Sequence, residues 1–113
     1  MSEEYQIIYT PKALDDLESI FLYIARNLQE ISIAEKQVNR IRESIRALSI
    51  MPDRHVRVNW EPWQSLEMRK MPVDHYLVFY RVEHTTKTVT IVRILYAGRD
   101  IPSIARDFSI ENE

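Results

Sequence analysis

The chain has no cysteine and one glycine in 113 residues. A disulfide scaffold is therefore excluded, and a reducing compartment is compatible with the composition. No apolar run approaches the roughly 18–20 residues that cross a bilayer. The opening Met1-Ser2-Glu3-Glu4 is acidic and carries no apolar h-region, so no secretory signal is expected there and a cytoplasmic location is. Neither sign of charge dominates: 15 Lys and Arg against 17 Asp and Glu leave −2, so no global field gathers a polyanion. P-loop, dinucleotide-fingerprint, nucleophile-elbow and zinc spacings are all missing. His55, His75 and His84 match no local metal pattern, so neither a metal nor a cofactor is expected.

What is present is globular. Apolar residues make up 45% and charged residues 28%, enough to build one core at this length. One domain over 1–113 is expected, with its core at about 5–107 and an acidic tail at 109–113. Charge is unevenly spread: residues 52–108 hold nine basic and seven acidic groups, so any anion site should lie in this half.

The period of the pattern changes along the chain. Tyr5-Gln6-Ile7-Ile8-Tyr9 is β-branched and aromatic, which predicts a strand. Thr10-Pro11 then supplies an N-cap and a proline at the first helical position. Leu14, Leu17, Phe21, Ile24 and Leu28 form the apolar stripe of a first helix, widened by Ile20 and Ala25. After a break at 27–31, Ser32-Ile33-Ala34-Glu35 fits a capping box. Val38, Ile41, Ile45 and Leu48 mark a second helix that stops near Pro52, so the two helices should form an antiparallel hairpin. No further helix is expected. Residues 53–65 read as an ordered loop, with Trp60 and Trp63 packing it down. Strands are expected over 66–71, 76–82 and 88–97, the last two central and joined by a five-residue loop without glycine. The fold class is thus α+β, in the order βααβββ, with a helix pair on one face of a small, mostly antiparallel sheet.

Basic residues on the strands are the sharpest chemical signal. Arg93 alternates with Val89, Ile91 and Leu95, and a guanidinium on such a face needs a carboxylate partner. Arg69 and Lys70 present charge to opposite faces of a short strand, as an edge strand does. His75 opens a central strand, whereas His84 falls in the hairpin loop. Tyr96-Ala97-Gly98-Arg99-Asp100 closes the last strand. There the single glycine permits either a positive φ or a close backbone approach, next to an arginine able to grip an anion in two places.

These pieces, in this order and spacing, resemble the RelE/ParE toxin superfamily of bacterial type II toxin–antitoxin systems. The resemblance runs over about residues 5–107. It is carried by the Tyr5–Tyr9 strand before Thr10-Pro11-Lys12-Ala13, the helix pair, Tyr76-Leu77-Val78-Phe79-Tyr80, and the run Ile91 to Ile101. It implies a small cytoplasmic growth inhibitor neutralised by a cognate antitoxin, which an apolar groove should accept. One branch, similar to ParE, poisons DNA gyrase. The other, similar to RelE, cleaves ribosome-bound mRNA without metal, with a base, cations and an acid as that chemistry needs. For a ribonuclease the resemblance points to Arg69, Arg99, His75 and Tyr96; for a target or phosphate contact it points to Lys70, Gly98 and Arg99. Leu77 stands where the ribonucleases often carry arginine, and no tyrosine or histidine lies near Arg106-Asp107-Phe108. The ParE-like reading is therefore preferred. A ribonuclease and a non-toxic antitoxin-binding domain are the alternatives.

Overall fold

The computed structural model describes residues 4–111. Strand β1 (Gln6–Tyr9) leads into helices α1 (Pro11–Leu28) and α2 (Ile31–Arg46), and two short 3-10 turns follow at Ala47–Ser49 and Pro52–Arg54. Strands β2 (Arg69–Val73), β3 (Tyr76–Glu83) and β4 (Thr88–Tyr96) complete the sheet before helix α3 (Ile101–Glu111). The sheet order is β1-β4-β3-β2. β1 runs parallel to β4, with Gln6 opposite Thr88, and the other two pairings are antiparallel.

The helix start follows from the sequence as expected. Thr10 is extended, its Oγ1 accepts from the Ala13 N–H at 3.0 Å, and Pro11 takes the first turn. Which apolar residues are buried differs from the expected stripe. Ala13, Leu17 and Ile20 are buried, whereas Leu14 is 48% and Leu28 56% exposed. The buried stripe is turned by about 50° around the helix from the expected one, toward Ala13, whose small side chain lets the sheet approach closely. The capping box at Ser32 is also corrected. Helix α2 starts at Ile31 with Glu30 as N-cap and no side-chain cap, so Ser32 lies inside it. Gln29 in the left-handed region (φ 53°) ends α1 and leaves too little chain for a separate cap.

Helices α1 and α2 cover one sheet face, where Leu17, Ile41, Ile45, Val78, Ile91 and Ile94 form the main core. The other face is covered by the 57–68 loop and by α3, through Trp63, Met68, Phe79, Leu95, Ile101 and Ala105. Trp63 stacks on Trp60 (5.4 Å) and lies against Phe79 (4.6 Å), so the tryptophans pack the loop down as expected. Helix α3 was not expected. Its inward residues Ile101, Ile104 and Ala105 keep helical spacing, but Pro102 and a short length obscure it. It runs into the segment read as an acidic tail, and residues 112–113 lie outside the described residues.

Two strand boundaries move. β2 begins at Arg69, because 61–67 turn back on themselves through Gln64 N–H to Trp60 O and Glu67 N–H to Gln64 O. Pro72 sits within β2, which an edge strand permits. β4 also bulges: Phe79 is opposite Arg93 but Tyr80 is opposite Ile91, so Val92 is extra. The bulge breaks the expected alternation, sending Ile91 and Ile94 to the helix side and Val92 and Leu95 to the other. Among the described residues, four turn positions with positive φ are filled by Gln29, Glu67, Asp74 and Lys87, none of them glycine.

Candidate functional site

Strand β4 outruns its parallel neighbour, and the site grows from that mismatch. β1 ends at Tyr9 opposite Ile91, so among the described residues β4 from Val92 onward has no strand on that side. The start of α1 substitutes for it. Thr10 Oγ1 donates to the Val92 carbonyl at 2.8 Å, and Asp16 Oδ2 accepts from the Ile94 N–H at 2.9 Å. The same carboxylate grips Arg93 in two places, at 2.8 and 2.9 Å. The carboxylate partner expected for Arg93 is thus Asp16, with side chains only 13% and 11% exposed.

Past that anchor a cleft of about 620 Å³ opens between α1 and the end of the sheet. Asp16, Ser19, Ile20 and Tyr23 line it from one face of α1; Tyr76, Ile94, Tyr96 and Arg99 line it from the strands and the turn beyond them. The Ile94 N–H goes to Asp16, so Ile94 and Val78 form a non-hydrogen-bonded pair on the β3 side. By alternation the Ile94 carbonyl and the Tyr96 N–H face the cleft, a short open strand edge. Tyr76 and Tyr96 meet edge to face at 6.1 Å. Burial pushes the Tyr76 phenol up, and Tyr23 and Tyr96 add to that, so it stays a neutral donor at physiological pH.

Gly98 closes the turn. Its φ is not positive, so the first of the two roles considered for it falls away. The second, close approach, is met by the Tyr96 ring: a Cβ at Gly98 would lie 2.6 Å from Tyr96 Cε2. The turn is held by Arg99 N–H to the Tyr96 carbonyl (3.1 Å) and by Ile101 N–H to the Arg99 carbonyl (2.9 Å). Asp100 then accepts from Ser103 Oγ at 2.8 Å. The Arg99 side chain is exposed at the cleft mouth.

The structure brings some predicted residues together and separates others. Tyr96, Gly98 and Arg99 share one end of the sheet. His75 is at that end too, its carbonyl accepting from the Ala97 N–H at 2.9 Å, but it lies in the exposed β2–β3 turn and not in a strand. Arg69 is elsewhere. It pairs with Tyr80 at the far end of the hairpin, about 14 Å of strand from the turn. Its guanidinium donates to the His55 carbonyl (2.6 Å) and the Asp53 carbonyl (3.1 Å) and lies 3.3 Å from Asp53 Oδ1. Arg69 ties down the Pro52–Arg54 turn. Lys70 lies opposite Phe79, on the sheet face away from α1, and does not join the cleft.

Sequence reasoning missed Asp16, Ser19 and Tyr23, although their spacing of three and four on the polar side of α1 marks a common face. It also passed over His84, which hydrogen-bonds the Tyr5 hydroxyl at 2.8 Å and lies 3.4 Å from Asp53, latching the β3–β4 loop to the strand start. Among the described residues no group of three or more His, Cys, Asp or Glu could hold a metal ion. No helix among them is long and apolar enough to cross a membrane.

Comparison with known proteins places this arrangement. The fold is shared with the chromosomal ParDE system of P. aeruginosa at a TM-score of 0.69 and 23% identity, covering 84% of this chain and 98% of that one. It is shared with the RelBE2 toxin–antitoxin complex of Mycobacterium tuberculosis at 0.61 and 20% identity, covering 82% and 91%. The archaeal RelE–RelB complex of Pyrococcus horikoshii follows at 0.60 and 14%, covering 85% and 98%. No curated protein sequence matches. The sequence profile of the ParE toxin of type II toxin–antitoxin systems matches residues 7–101. The βααβββα order and that match agree: the chain belongs to the ParE toxin family within the RelE/ParE superfamily.

Proposed function

We propose that this chain inhibits bacterial growth by docking on a protein target, such as DNA gyrase, through the cleft at the end of β4. We propose further that a cognate antitoxin neutralises it. The observation that carries this reading is the separation of Arg69 from Arg99. Metal-free RNA cleavage needs cations converging on one phosphate, and here Arg69 is bound to carbonyls and Asp53 at the opposite end of β2. A cleft with tyrosines, an open strand edge and one exposed cation suits a peptide segment better than a scissile phosphate.

The ribonuclease reading keeps one argument of its own, the proximity of His75, Tyr96 and Arg99 at one end of the sheet. Induction in a bacterium, a supercoiling assay with purified gyrase and primer extension on transcripts separate the readings. The docking reading expects growth arrest and gyrase inhibition, both lost in Arg99→Glu with folding intact. New codon-linked 5′ ends with unaffected supercoiling would replace it with the ribonuclease. Normal growth with folded protein present would leave only an antitoxin-binding domain.

A further inference from the structure

A run of side-chain contacts away from the β4 cleft joins Tyr5, just before β1, to the β3–β4 loop and the Pro52–Arg54 turn. The Tyr5 hydroxyl lies 2.8 Å from His84 Nδ1, and His84 Nε2 lies 3.4 Å from Asp53 Oδ1. Asp53 is held in its turn. Arg69, only 15% exposed, lies 3.3 Å from the same Oδ1 and donates to the Asp53 carbonyl at 3.1 Å. The carboxylate beside Nε2 assigns the imidazole proton to that nitrogen, which leaves the Nδ1 lone pair facing the phenol. None of these four residues lines the β4 cleft.

Hydroxyl, imidazole and carboxylate in this order are what activates a side-chain nucleophile: a base within hydrogen-bond reach of the hydroxyl, and a third group that orients the base. The geometry is set in advance. Gln6 N–H donates to the Lys87 carbonyl at 2.8 Å, which holds the loop carrying His84 against the strand start. The Tyr5 and His84 rings stand edge to face at 5.8 Å. Lys87 Nζ lies over the Tyr5 ring, 5.3 Å from its centroid, so positive charge is at hand as negative charge develops on the phenol. A latch that only ties a loop down does not need a carboxylate behind its imidazole. The His84 and Asp53 side chains are 57% and 50% exposed, so a reagent can reach the pair from solvent.

We propose that Tyr5 is a nucleophile that takes an acyl group from activated carboxylic esters and thioesters, with His84 as its general base and Asp53 positioning the imidazole. The Tyr5 oxygen bonds to the carbonyl carbon, and the alcohol or thiol leaves with the electron pair of the broken C–O or C–S bond. The phenol proton passes to His84 Nδ1, and the imidazolium then gives a proton to the leaving group. The product is an O-acyl tyrosine. Its oxygen no longer donates to His84, so acylation releases the β3–β4 loop from the strand start and makes this a point of covalent control. The chemistry is independent of the target-docking reading, because it uses no residue of that cleft.

The test treats the full chain with p-nitrophenyl acetate, follows nitrophenolate release and maps the acetylated residues by peptide mass spectrometry. Half-buried Tyr5 should be acetylated about tenfold or more faster than Tyr23, although Tyr23 is 67% exposed. Tyr5→Phe should remove the burst of nitrophenolate, and His84→Gln should slow it about a hundredfold. Asp53→Asn should slow it about threefold, since that pair is exposed, and Asp53→Glu should keep more of the rate. The thermal midpoints of Tyr5→Phe and His84→Gln should stay near that of the parent, which separates lost chemistry from a lost fold. Free imidazole should restore acetylation of Tyr5 in His84→Gly. No burst, acetylation of Tyr5 no faster than of Tyr23, acetyl groups on lysines or His84 alone, or an unchanged rate in His84→Gln overturns the proposal. Growth arrest is read separately: a toxic chain that is not acetylated keeps its function and loses this site, and a harmless chain that is acetylated does the reverse.

Discussion

Replacing Asp16 by alanine removes three hydrogen bonds at once and leaves the Arg93 guanidinium without its partner. The two side chains are 11% and 13% exposed, so water replaces the lost carboxylate only in part. Breaking such a pair by deleting one member costs about 3–5 kcal/mol. A stranded Ile94 N–H adds about 1 kcal/mol, partly regained from water in the cleft. The expected loss is about 4 kcal/mol, which for a chain of this size lowers Tm by roughly 15 °C. Arg40 and Asp74 are an internal control. Their bidentate contact is as short, at 2.8 Å, but the side chains are 65% and 29% exposed. Asp74→Ala should therefore move the midpoint little. Urea unfolding followed by the fluorescence of buried Trp63 reads both variants. Asp16→Leu combined with Arg93→Met should recover most of the loss, since apolar replacement of a buried pair is often neutral. Equal shifts for Asp16→Ala and Asp74→Ala would refute the claim that burial, and not contact geometry, sets the value of these pairs.

Tyr80→Phe removes the 2.7 Å bond to the buried Pro52 carbonyl and should cost about 1–2 kcal/mol at neutral pH in urea unfolding. Burial pushes the Tyr80 phenol up to about 12, so the folded chain holds a proton that the unfolded chain loses near 10. Stability should fall as pH rises from 10 toward 12, and less steeply in the phenylalanine variant. Gln29→Gly, at φ 53° after α1, should raise stability by roughly 0.5–1 kcal/mol, seen as a higher Tm. Gly98→Ala meets only the exposed Tyr96 ring, which can swing aside. Its Tm should stay near that of the parent while the Tyr76–Tyr96 ring contact shifts in NMR spectra, and a loss of several degrees would contradict the φ assigned there.

How far the sequence was legible depended on whether a signal was local. Thr10-Pro11 announces α1 because capping chemistry involves neighbours only, and the two central strands show in their doubly apolar runs. Which stripe of α1 faces inward is a tertiary question, and Leu14 and Leu28 lost it to Ala13, while Leu17 and Ile20 are buried as expected. The bulge at Val92 leaves no mark in composition, yet it decides where Arg93 reaches. Arg93's need for a carboxylate could be argued from burial alone; that Asp16 answers it could not, because 77 residues separate them. That Tyr96, Gly98 and Arg99 lie together was legible because they sit side by side at a strand end. That Arg69 lies apart from them was not legible, because sequence distance hides which end of a hairpin a residue occupies.

The parallel β1–β4 pairing also orders events during synthesis. Thr10 and its acceptor Val92 are 82 residues apart, so β1 has no strand beside it until β4 is made. Loop closure over that separation is slow compared with forming the helical hairpin or the local β3–β4 ribbon. The α1–β4 cleft is bounded by both ends of this loop, so it comes into being only with the final closure. A chain released before β4 is complete therefore lacks the cleft.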